Sequence, residues 1–147
     1  MDHVKTLFKH FICLIEARFV ASECIRVGAA HIHTHFGTNS AEVAMYASLI
    51  SNIPYSLTIH GPEEFDYPSD LNLNGKISRS KFVAGVCSFG RSQLYRWLAS
   101  DMWHKVQVVR CGLEKEYFDQ APSSLTSIIK PNNITFLCIG NIVRSQE

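Results

Sequence analysis

Four short runs rich in β-forming residues, at 30–36, 55–60, 82–87 and 106–109, alternate along the chain with stretches of helical character. Only a few residues connect each run to the helix beside it. Parallel strands need a crossover between them, and helices of this length supply it, so the alternation specifies an α/β fold built on a doubly wound parallel sheet. No internal repeat and no low-complexity stretch competes with that reading.

The segment before the first run is helical. Val4, Leu7, Phe8, Phe11, Ile15 and Phe19 recur at helical spacing, while Lys5, Lys9, Glu16 and Glu23 form a polar stripe. This one-sided helix is expected to bury its apolar stripe on the sheet and to end at Gly28. Its polar face is mixed in sign, which favours packing over attachment to a membrane surface. After the first run, Asn39 with Glu42 three residues later predicts a capping box on a helix to about Ser51. Gly61-Pro62 breaks the second run, and a loop with Tyr67-Pro68 leads to a helix at 73–80. Ser88 is placed to cap a helix through Trp97.

The 147 residues carry 14 Lys and Arg against 13 Asp and Glu, with 46% hydrophobic and 18% charged residues. Such a balance is globular and offers no basic footprint for nucleic acid. The longest apolar run near the start, at 11–15, is too short for a spanning helix or a secretory signal core, so a cytoplasmic chain is expected. Five cysteines, at 13, 24, 87, 111 and 138, form no Cys-x-x-Cys pair and read as small core hydrophobes.

The residues with chemistry cluster at strand ends. His31, His33 and His35 alternate with Ile32 and Thr34, so a period of two sets three imidazoles on one face. They could hold a metal ion or make polar contacts; no carboxylate within the strand completes a hydrolytic site, which favours polar contacts. His60-Gly61-Pro62-Glu63-Glu64 places an imidazole, a glycine and two carboxylates at a carboxyl edge, where open α/β sheets bind ligands. His60 there can meet a sugar hydroxyl or a phosphate, or do acid–base work; alternatively it caps the turn. Arg110 and Gly112 follow the fourth run, where the guanidinium could approach an anion or pair with a carboxylate. Arg91 and Arg96 make a weak nucleic-acid patch.

In order, His31-Ile-His-Thr-His-Phe-Gly37, Ile53-Pro-Tyr-Ser-Leu-Thr-Ile-His-Gly61, Lys81-Phe-Val83 with Ser88, Val108-Val-Arg-Cys-Gly-Leu-Glu114 and Phe136-Leu-Cys-Ile-Gly140 resemble the GT4 (group 1) family of retaining GT-B glycosyltransferases. The likeness covers about residues 27–143 and is nearest to exopolysaccharide and colanic-acid types. It implies a Rossmann-like acceptor-side domain at 1–118, a linker at 119–133 and the start of a donor-binding domain at 134–147. It also implies transfer of a sugar from a nucleotide-sugar co-substrate to a saccharide or lipid-linked acceptor, with no cofactor or metal. A lipid-linked acceptor would bring the protein to the inner face of the membrane. The residue matched by His60 faces the cleft and is the expected catalytic group. His35, Gly37, Gly61, Glu63, Glu64, Arg110 and Gly112 are the expected substrate-binding residues, and Gly140 the donor-side one.

Asn141 stands where the family carries a donor-clamping arginine, and Gln146-Glu147 where it carries Lys-Gly. The family's acidic pair and glycine-rich first turn have no counterpart in the sequence. The expectation is a chain truncated at both ends and inactive in transfer by itself. Two other readings follow from the same residues. One is a metal-dependent hydrolase or phosphoesterase using His31, His33 and His35; the other is a non-catalytic remnant or binding domain.

Overall fold

The computed structural model describes residues 2–112 and Lys115. The expected linker, the strand at 134–139 and Gly140 lie outside the described residues. Within them the chain forms α1 (Asp2–Arg26), β1 (Ile32–His35), α2 (Asn39–Ser51), β2 (Tyr55–Ile59), α3 (Pro62–Asp66), α4 (Leu73–Arg79), β3 (Val83–Gly85), α5 (Ser88–Trp97), a 3-10 turn (Ser100–Lys105) and β4 (Val106–Val108). All of these elements belong to one unit, Met1–Cys111.

The fold is α/β with a four-stranded, all-parallel sheet in the order β1-β2-β3-β4. Each strand pairs with its successor, and the reversal of order that defines a doubly wound sheet does not occur among the described residues. In register, Thr34 lies beside Leu57, Leu57 beside Val83, and Val83 beside Val106, which sets these side chains on one face. That face carries the core: Ile32, Tyr55, Leu57, Ile59, Val83 and Val106 pack with Leu73 and Ile77 of α4 and Leu94 of α5. Fully burying a side chain such as Leu57 contributes about 1.5–3 kcal/mol.

The apolar stripe expected to anchor α1 faces the other way. Phe8, Phe11, Ile15 and Phe19 are exposed, and the buried side chains are Cys13, Ala17 and Ala21. α1 packs chiefly on α2, where His10 meets Glu42 and Tyr46. The small residues on the buried face of α1 allow a close approach that larger side chains would prevent, so size decides that face ahead of hydrophobicity. Beyond Arg26 the chain turns at Gly28, whose φ of +68° suits glycine.

Two caps also differ from expectation. The residue before α2 is Thr38, and it makes no side-chain cap bond. Glu42 is buried and accepts instead from the Tyr46 hydroxyl at 3.2 Å and pairs with His10. Ahead of α5 the cap is Cys87, whose Sγ accepts from the Gly90 amide at 3.4 Å, and Ser88 is the first helical residue. Gly61-Pro62 does break β2, but Pro62 opens α3 within the segment expected to be loop.

No described helix is long and apolar enough to cross a membrane.

Candidate functional site

The polar residues gather on the sheet face opposite the core and at its carboxyl edge. Register sets His33 beside Ser56 and His35 beside Thr58. The Ser56 hydroxyl lies 2.8 Å from His31 Nε2 and 2.7 Å from His33 Nδ1, and the Thr58 hydroxyl 2.9 Å from His33 Nε2. A hydroxyl donates once and accepts freely, so it suits either tautomer of each ring. Phe82 stacks on both His31 and His33. Partial burial, then the neighbouring His35 and His31, hold the His33 imidazole below the ordinary histidine value.

At the edge, His35 Nδ1 is 2.7 Å from His60 Nε2. One ring of the pair donates and the other accepts. Phe36 leaves β1 with φ of +66°, and its ring lies 4.6 Å from that of His60. Phe36 and His60, together with Thr38, Gly61, Glu64, Tyr67 and Leu71, line a pocket of about 500 Å³. The walls are largely apolar and aromatic, with the His60 imidazole and the hydroxyls of Thr38 and Tyr67 as further polar groups. That composition fits a ligand with both C–H faces and hydroxyls.

Glu64 is only 3% exposed, and its carboxylate is occupied by backbone. Oε1 accepts from the Gly37 amide, and Oε2 from the amides of His60 at 2.8 Å and Gly61 at 3.3 Å. It therefore ties the turn after β1 to the turn after β2. Gly37 has no room for a side chain, since a Cβ would sit 2.7 Å from Leu73 Cδ1 and 3.1 Å from Glu64 Oε1.

Lys76, which sequence reasoning did not single out, closes the same turn from below. It is 2% exposed, donates to the Gly37 and Thr38 carbonyls at 2.9 Å each, and lies 4.0 Å from Glu42. Burial pushes its ammonium below the ordinary lysine value, and Glu42 opposes that push. The signal was present in the sequence: Lys76 stands three residues after Leu73 and one before Ile77, on the face that α4 buries.

The structure thus brings together His35, Gly37, His60, Gly61 and Glu64. Arg110 is exposed beyond β4 and does not line the pocket. Gly112 is exposed and opens the second unit of the chain. The side chain of Glu63 lies outside the described residues, as does Gly140. Among the described residues no three His, Cys, Asp or Glu side chains converge as a metal-binding set. A larger pocket, about 630 Å³, lies on α1 and α2 against Leu7, Phe8, Phe11 and Leu14, far poorer in polar groups.

No protein-family pattern matches the chain, and no curated protein matches it.

Proposed function

We propose that the chain provides the acceptor-side domain of a retaining GT-B glycosyltransferase of the GT4 family, acting in cell-surface polysaccharide biosynthesis. The observation that carries the reading is the pocket at the carboxyl edge of a parallel sheet, where His60 and Gly61 meet Phe36 and Tyr67. An aromatic wall packs the C–H face of a pyranose, and the imidazole and the Thr38 hydroxyl reach its hydroxyls. Of the residues that supported the family resemblance, His60 and Gly61 line the pocket, and His35 and Gly37 adjoin it through the His60 ring and the Glu64 carboxylate.

In such a transfer the acceptor hydroxyl attacks the anomeric carbon of the nucleotide sugar, the bond to the diphosphate breaks on the same face, and the departing phosphate oxygen takes the proton. The protein then has no nucleophile to supply. Its work is to position the acceptor and to stabilise charge, and His60 is the group assigned to that work. Glu64, with its oxygens engaged by backbone, shapes the pocket rather than touching the sugar.

Titrating isotopically labelled protein with neutral methyl pyranosides tests the proposal. Saturable shifts at His60, Gly61 and Thr38 are expected. Absence of these shifts, with stoichiometric zinc displacing the His31, His33 and His35 resonances, would replace this reading with the metal-dependent hydrolase.

A further inference from the structure

We infer that Glu64 and Lys76 are positioning residues for His60, acting as a buried charged strap that fixes the two turns between which the pocket opens. The inference rests on the pocket being the acceptor site, and it assigns roles to a buried carboxylate and a buried ammonium that need not touch the ligand.

The turn at 36–38 has few internal bonds of its own. Phe36 is in the left-handed region, which a bulky residue adopts only when its surroundings hold it there. Its peptide groups are held by β2, through the Phe36 amide's bond to the Thr58 carbonyl, and by three side chains. The Gly37 amide donates to Glu64, the Gly37 and Thr38 carbonyls accept from Lys76, and the Ser40 hydroxyl donates to the His35 carbonyl at 2.7 Å. The other turn hangs on the same carboxylate through the amides of His60 and Gly61. Beyond the Phe36 amide's bond to the Thr58 carbonyl at 2.8 Å, this carboxylate joins the two pocket walls and so holds the approach of the Phe36 ring to His60. Charge-assisted bonds to backbone suit this task because they are short and directional. A carboxylate and an ammonium buried to this degree are costly, and here each spends its bonds on the backbone of the two turns that form the pocket.

The test is the imidazole spectrum of His60 in the protein without ligand. Phe36→Leu first identifies the ring-current displacement that Phe36 imposes on the His60 signals. In Lys76→Met, loss of that displacement is expected, with the His31 and His33 signals and the amides of β2–β4 unmoved. A folded Lys76→Met protein with His60 at its original position overturns the proposal. Should the variant not fold, hydrogen exchange in the unaltered protein decides. Slow exchange at Gly37, His60 and Gly61, lost selectively in Glu64→Gln, is expected; exchange at open-loop rates at these amides overturns it. None of these measurements uses a sugar. An intact strap with no pyranoside binding would therefore sink the acceptor reading alone, and the reverse result the strap alone.

Discussion

His35 Nδ1 and His60 Nε2 face one another at 2.7 Å across the carboxyl ends of β1 and β2, closing the polar face of the sheet where the pocket begins. The bond needs one facing nitrogen to carry a proton and the other to lack one. A double-mutant cycle with His35→Ala and His60→Ala should give a coupling of about 0.5–1 kcal/mol in urea unfolding. Additive single losses would show that the two rings do not interact in solution.

His33 makes stability depend on pH. Its proton affinity is lower in the folded chain than the ordinary value near 6.5, because burial and the neighbouring His35 and His31 disfavour the charged ring. Between the lowered value and 6.5 the unfolded chain binds the extra proton, so stability rises with pH through that window. On acidification from neutrality the melting temperature should fall, then level off from this group once the folded ring is protonated as well. His33→Gln should flatten that part of the profile; an unchanged slope would assign it to other groups.

Gly37→Ala tests the crowding beneath the turn. The added methyl would press on Leu73 Cδ1 and the Glu64 carboxylate, both buried, and should cost about 1–3 kcal/mol of unfolding free energy. Gly61→Ala, where a Cβ meets nothing within 4 Å, should cost far less by the same denaturation measurement.

The α1–α2 contact yields a paired prediction. Ala17→Leu inserts a large side chain at a fully buried small position of α1, and should destabilise by about 1–3 kcal/mol. Phe11→Gln removes an aromatic ring that is 58% exposed, and should change stability by no more than about 0.5 kcal/mol. Calorimetry giving the reverse order would put the bulky stripe back in the core.

That pair also marks where sequence reasoning succeeds and fails. Strand positions were legible because short runs of β-forming residues alternate with helical stretches over connections of a few residues, and each of the four appears within a few residues of its expected ends. The buried face of α1 was not legible, because periodicity ranks residues by hydrophobicity while a helix pair in contact selects them by size. The pairing of His35 with His60 follows from register, which no single segment encodes. Glu64 was marked as a ligand-binding carboxylate from its place after a strand, but the two amides that occupy its Oε2 belong to residues just before it and the one on Oε1 belongs to a distant turn. Lys76 went unnoticed because a charge within a short helix is ordinarily a solvated one.

The strand order has a kinetic corollary. Each strand pairs with the one that follows it in the chain, so no pairing waits for a distant segment to arrive. Loop closure is then a modest entropic barrier at every step, and the sheet can grow from either end or the middle by adding one strand and its helix at a time. The turns that shape the pocket lie between successive additions, so the site needs only β1, β2 and α4 to have met and does not wait for β4.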